Sequence, residues 1–409
     1  MQFFLVCWIT YFSTYIGRLN FLASMSAIID SEGYDKTQLG LVAAAFFFAY
    51  GVGQLISGIL GDRIPPRKLV FLGVFLSALI NLAMGMSTHY IFMIVLWLLN
   101  GLVQSMTWSP IARLVSDRLL GKDCVKTCFN LSTTVPAGTL ITYLMCSLII
   151  QYANWRVVFF VAGGILLAIS FVWNSWMKKL EEEAETNGII EDCCPVSNNA
   201  QMVERKKSMW SILIPSGFLL IVMAVMIDGI LKDGVMTWVP SYLSEIFNTT
   251  PAFSIGLTTL LPIVNLLGIY LANYLYTRVI KNEVVVSALF FATTLIALSI
   301  LIFFGNKSII LSLLMLSIVT SSMLGINTIL VNIVPLSFKS VGKVSTVSGV
   351  LNSSTYLGSA LSTYMIGNIA QQYGWNVTRI VWLALAIGGI VVCLCARKIW
   401  WNFRKTLTN

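Results

Sequence analysis

Two basic residues, Arg18 and Lys232, stand inside long apolar runs of this 409-residue chain. A cation at the centre of a lipid-embedded helix costs about 2.5–3.5 kcal/mol on insertion scales, so a ligand or a partner is the default reason for its presence. Arg18 lies in TYIGRLNF, residues 14–21, and is the only charge between Met1 and Ile29. Snorkelling does not rescue it, because roughly 16 Å of helix, at about 1.5 Å per residue, separate it from Asp30. Tyr11, Thr14, Tyr15 and Arg18 follow i, i+3, i+4, i+7 spacing and share one helix face. Such a face points to a cavity and not to lipid. Tyr50, Gln54 and Ser57 share a second face by the same spacing. Lys232 has Asp228 one turn before it and Asp233 directly after it. The trio reads either as self-neutralised or as a switch. In the switch, Lys232 leaves an aspartate when an anion arrives, or one of the aspartates, Asp228 or Asp233, exchanges a proton.

The elements that carry these residues must be transmembrane helices. The chain is 57% hydrophobic and 11% charged, whereas soluble proteins of this size carry about 25% charged residues. A spanning helix needs about 20 mostly apolar residues. Twelve segments satisfy this, with limits near 3–29, 37–60, 67–87, 90–116, 124–150, 155–176, 209–244, 253–277, 284–304, 308–335, 342–370 and 377–400. One long polar insert, 177–208, carries KKLEEEAE and ERKK. The expected architecture is all-α, with twelve transmembrane helices in two pseudo-symmetric six-helix bundles (1–176 and 209–409) joined by that insert as a cytoplasmic linker. The halves look duplicated. Arg18 and Lys232 are 214 residues apart, and Arg63 and Arg278, after segments 2 and 8, are 215 apart. QYANW (151–155) returns as QYGW (372–375). Arg18 and Lys232 are then counterparts on segments 1 and 7. Two parallel repeats place a ligand near the bilayer midplane, between the halves.

Charge placement sets the orientation. Of 26 Lys and Arg residues, 20 fall in the even-numbered connections and the C-terminal tail and four in the odd ones. Basic loops stay on the cytoplasmic side, so both termini are expected there. The formal charge of +9 is therefore a topology signal and implies no nucleic-acid partner. The eight cysteines show no metal spacing and read as reduced apolar residues. No basic stretch precedes the first apolar run, which is also too long for a cleaved leader, so none is expected. No P-loop, nucleophile elbow, HExxH or metal cluster occurs. The chain is expected to be no enzyme, to need no cofactor or metal, and to draw energy from an ion or from exchange.

The stretches YIGRLNF, DKTQLGLVAAAFFFAYGVGQLISGILGDR, WLLNGLVQSMTWSPIARLV and KDGVMTWVPSYL resemble the organophosphate:phosphate antiporters of the major facilitator superfamily, which include glycerol-3-phosphate and hexose-6-phosphate transporters. The resemblance implies that a basic residue on helix 1 and one on helix 7 hold the phosphate, here Arg18 and Lys232. Lysine replaces the family's usual arginine at the second position, and offers a point charge in place of a planar fork. The family tyrosines match Tyr11, Tyr15, Tyr50 and Tyr356. On helix 5 Asn130 is kept, but Thr133 stands where the family has histidine. Leu19 and Gln54 occupy positions that are basic in relatives. The loop GDRIPPRK (61–68) resembles the superfamily's cytoplasmic loop between helices 2 and 3. Its Asp62 and Arg63 would form a gating latch with Arg113 or Asp117. The resemblance implies a monomer in a lipid bilayer, in the bacterial inner membrane, that exchanges a small phosphorylated anion for inorganic phosphate by alternating access. Two cations beside two aspartates suit a monoanion or a weakly charged dianion. A proton-coupled symporter of a sugar acid or another carboxylate is the alternative, and a transporter-like ligand sensor is a third reading.

Overall fold

The computed structural model describes residues 2–60, 64–118, 127, 131, 133–186, 216–341 and 344–408. Among them there is no strand, as lipid demands: every backbone polar group of a span must be satisfied within the helix. The first bundle holds α1 (Gln2–Glu32), α2 (Lys36–Leu60), α3 (Pro66–Gly85), α4 (Tyr90–Arg118), α5 (Thr134–Tyr152) and α6 (Trp155–Thr186). The second opens with α7 (Phe218–Phe247). Its next span, α8, is two pieces, Pro251–Thr258 and Leu260–Tyr274, followed by a π turn, Leu275–Val279. Then come α9 (Glu283–Phe304) and α10 (Ile309–Asn327). The last helical run, Val344–Thr408, turns at Gly374 (φ 74, ψ 178) and so gives two spans, α11 (344–373) and α12 (375–408). Only glycine takes that backbone conformation without strain.

Three differences from the expected limits have local causes. α6 runs past 176 to Thr186, because LysLysLeuGluGluGluAla is a strong helix former that continues the span into water. α10 stops being α-helical at Asn327 and continues as a π turn, Thr328–Ile333, and a 3-10 stretch, Val334–Val341, whose second residue, Pro335, cannot donate. Arg379, at the start of the last expected span and counted with the connection before it, is 2% exposed. It donates to the Leu301 carbonyl (3.1 Å), Asn306 (2.9 Å) and Asn376, and so ties α12 to the end of α9.

The packing is inverted relative to a soluble bundle. On α4, Ile91, Phe92, Val95 and Leu99 face outward, while Trp97, Asn100 and Gln104 are buried. Small residues let helices approach closely across the bundle boundary. A Cβ on Gly40 of α2 would lie 2.6 Å from the Thr363 carbonyl of α11, and one on Gly367 lies 2.6 Å from the Lys36 carbonyl. Polar ties close the same end, opposite the chain termini. Lys36 Nζ meets Glu245 at 2.8 Å, and its backbone amide donates to Gln371 (3.2 Å). Trp375 donates to the same Glu245 carboxylate (2.9 Å). Nearby, Arg156 pairs with Glu32, and that hydrogen bond holds the Glu32 carboxyl below the ordinary range.

At the other end, Glu283 is fully buried and gathers Arg404 (3.0 Å), Trp400 (3.0 Å) and Tyr276 (2.9 Å). It pins α12 and the π turn of α8 to the start of α9. Glu283→Leu leaves the buried Trp400 indole without its acceptor and costs the half-buried Arg404 its ion pair, and is expected to destabilise the second bundle by about 1–3 kcal/mol. Thermal unfolding in detergent reads this, and an unchanged midpoint contradicts it.

Candidate functional site

The position of Arg18 is fixed from behind. The carbonyl of Gly17 accepts from Asn81 (3.1 Å) and Asn100 (2.9 Å), and Asn20 donates to Asn81 (2.8 Å). Ser77 donates to Asn100 and receives from Gln104. All five side chains are buried. They hold the α1 backbone against α3 and α4 and turn the next residue toward the molecular axis. Interlocked buried hydrogen bonds of this kind favour one arrangement of the helices. Asn100 and Gln104 of NGLVQSMTWSP thus serve to position the cation, whereas Trp108 of the same stretch lines the cavity.

Arg18 enters a cavity of about 310 Å³ between the two bundles. It is 7% exposed, and among the described residues it has no carboxylate partner and no hydrogen bond. Its guanidinium lies 3.8 Å from the centre of the Tyr15 ring and 5.5 Å from that of Tyr50. Aromatic faces stabilise the cation while leaving its donors open. Tyr11 stands edge-on to Tyr15 (5.6 Å) and packs on Trp108 (4.7 Å). Across the boundary, Tyr50 of α2 meets Tyr356 of α11 at 4.7 Å. The tyrosines expected from sequence, Tyr11, Tyr15, Tyr50 and Tyr356, all line this one cavity.

Lys232 reaches the same cavity from α7, together with Asp233. The two aspartates part company. Asp233 pairs with Lys232 at 3.5 Å and accepts from Ser359. Asp228 is fully buried, does not line the cavity, and accepts from Asn327 at 3.1 Å. Among the described residues the ion pair of Lys232 is thus with its neighbour, and the one-turn spacing to Asp228 is not used.

Two residues assigned to cavity faces lie elsewhere. Thr14 bonds back to the Tyr11 carbonyl (2.7 Å), and Ser57 meets Ser105 of α4 (3.1 Å). Thr133 accepts from Trp8 (3.0 Å) and stays off the cavity wall. Asn130, Asp62 and Arg63 lie outside the described residues, as does the side chain of Arg113. The second bundle adds a polar wall that helical spacing alone did not single out: Asn265, Thr320, Asn327 and Asn352. The available signal was amides inside apolar spans.

Known proteins resemble this chain in sequence. A Chlamydia trachomatis protein described as a probable hexose phosphate transport protein is 23% identical, over 96% of this chain and 90% of its own length. The Bacillus subtilis glycerol-3-phosphate transporter is 24% identical, over 99% of this chain and 93% of its own. The Escherichia coli membrane sensor protein UhpC is 31% identical, over 41% of this chain and 39% of its own. Residues 7–363 match the Major Facilitator Superfamily, and the chain belongs to that family.

Proposed function

We propose that the protein is a secondary transporter that carries a small phosphorylated organic anion across the membrane in exchange for inorganic phosphate. The observation that supports this most is Arg18, a buried guanidinium with no counter-ion among the described residues, facing Lys232 across a cavity shared by the two bundles. An anion that bridges them supplies the missing charge and draws the bundles together. The full-length likeness to proteins named for hexose phosphate and glycerol 3-phosphate supports a phosphate monoester as the anion. The tie between Lys36 and Glu245 serves as the barrier at one end. Its rupture as the opposite end closes is the alternating step. The bias of basic residues toward one set of connections supports cytoplasmic termini, and the likeness to bacterial proteins supports a bacterial inner membrane. The transporter acts as a monomer, since each chain carries both halves of the clamp.

A second reading, a ligand sensor of transporter form, is favoured by the likeness to UhpC. Both readings are separated by proteoliposomes loaded with labelled inorganic phosphate. External glucose 6-phosphate or glycerol 3-phosphate is expected to release the label. Binding without release favours the sensor. Uptake that follows only an imposed pH gradient favours proton coupling, with Asp228 or Asp233 as the proton site.

A further inference from the structure

We infer that the preferred ligand is a phosphate monoester that also carries an ammonium group, and that Asp233 is the residue that selects it. This rests on the transport reading above and concerns the substrate class of that same cavity.

The argument is one of charge and geometry. Among the described residues that line the cavity, the charged ones are Arg18, Lys232 and Asp233. Asp228 is walled off from it. Tyrosines are neutral near pH 7, so the cavity holds a net +1. A phosphate monoester there carries about −1.5 to −2. A simple sugar phosphate would leave the closed cavity with about one half to one uncompensated negative charge, beside a carboxylate. Burying such a charge is costly unless a partner is supplied. One ammonium group on the same ligand closes the balance.

The carboxylate is also placed to receive it. Asp233 uses one oxygen, Oδ2, for both Lys232 and Ser359, and its Oδ1 has no partner among the described residues. Its side chain is 19% exposed, toward the cavity. Its pair with Lys232 is loose, at 3.5 Å, because consecutive residues on a helix do not face one another. Lys232 is therefore free to swing to the phosphoryl group near Arg18. Asp233 stays behind, fixed by Ser359, and needs a new cation. Tyr50 and Tyr356, which meet at 4.7 Å across the bundle boundary, line the same cavity.

The test is competition between matched pairs of ligands for the purified, full-length protein: glucosamine 6-phosphate against glucose 6-phosphate, and 2-aminoethyl phosphate against 2-hydroxyethyl phosphate. Thermal stabilisation in detergent gives binding, and proteoliposome exchange gives transport. The amino member of each pair is expected to bind roughly 10- to 100-fold more tightly, as one charge-assisted hydrogen bond allows. Asp233→Asn should erase that preference, by weakening the amino ligand and strengthening the hydroxyl ligand. Asp233→Glu should keep it. Equal or weaker binding of the amino ligands to the native protein overturns the inference and leaves the transport reading standing, with no variant required. A preference that survives in Asp233→Asn moves the selectivity elsewhere and also overturns it. Failure of all four phosphate esters to bind or exchange defeats the transport reading itself.

Discussion

Arg18→Ala is expected to abolish measurable exchange while leaving a folded protein. The side chain faces a cavity and supports no hydrogen bond among the described residues, so its removal strands no partner. What is lost is a guanidinium held over Tyr15 with its donors open. Charge-assisted hydrogen bonds contribute about 1.5–3 kcal/mol each, and a phosphoryl group can take two from one arginine. The loss is therefore about 3–6 kcal/mol, or roughly 10²- to 10⁴-fold in ligand affinity. Arg18→Lys keeps the charge but not the planar fork, and is expected to fall between the two. Ligand-dependent thermal shifts and exchange rates check this. Affinity within about threefold of native in Arg18→Ala removes the anion clamp.

The second large effect concerns the moving boundary. Gly40→Ala places a Cβ 2.6 Å from the Thr363 carbonyl, across the two bundles at the sealed end. Overpacking of this kind costs about 1–3 kcal/mol. Here the clash exists only while that end is shut. The bundles can escape it by separating, so the cost appears as a shift of roughly 5- to 150-fold toward the conformation open at that end. Spin labels at Asp30→Cys and Thr250→Cys, both exposed, should report longer distances in a cysteine-depleted background. Gly229→Ala is the contrast. Its Cβ would meet the Thr355 carbonyl at 2.2 Å inside one bundle, where separation gives no relief, so stability should fall instead. An unchanged distance distribution in Gly40→Ala contradicts alternating closure at this boundary.

The fold was legible because lipid simplifies the problem. Length and apolarity mark a span with no need for helix propensity. The candidate cavity residues were legible for the same reason: a charge such as Arg18 inside an apolar run stands out, whereas in a soluble helix it would pass unnoticed. Tyr11, Tyr15 and Arg18 kept their expected face. Thr14 did not, because a hydroxyl in an apolar helix finds its own backbone carbonyl first. Ser57 was lost to a helix–helix contact that spacing along one helix cannot reveal. The pairing of Lys232 was open for a different reason. One-turn spacing favoured Asp228, but Asp228 turns to Asn327, 99 residues away in sequence. Likewise the network around the Gly17 carbonyl draws on α3 and α4 as well as α1, and no local pattern announces it.

The most direct test of the clamp is a double-mutant cycle on one anion. Binding of a single phosphate ester is measured for native protein, Arg18→Gln, Lys232→Gln and the pair together. If both side chains hold the same phosphoryl group, each single change weakens binding at least about tenfold, and the two losses are strongly non-additive. Losses that simply add, or a Lys232→Gln protein that binds as well as native, would show that the two bundles do not share one anion.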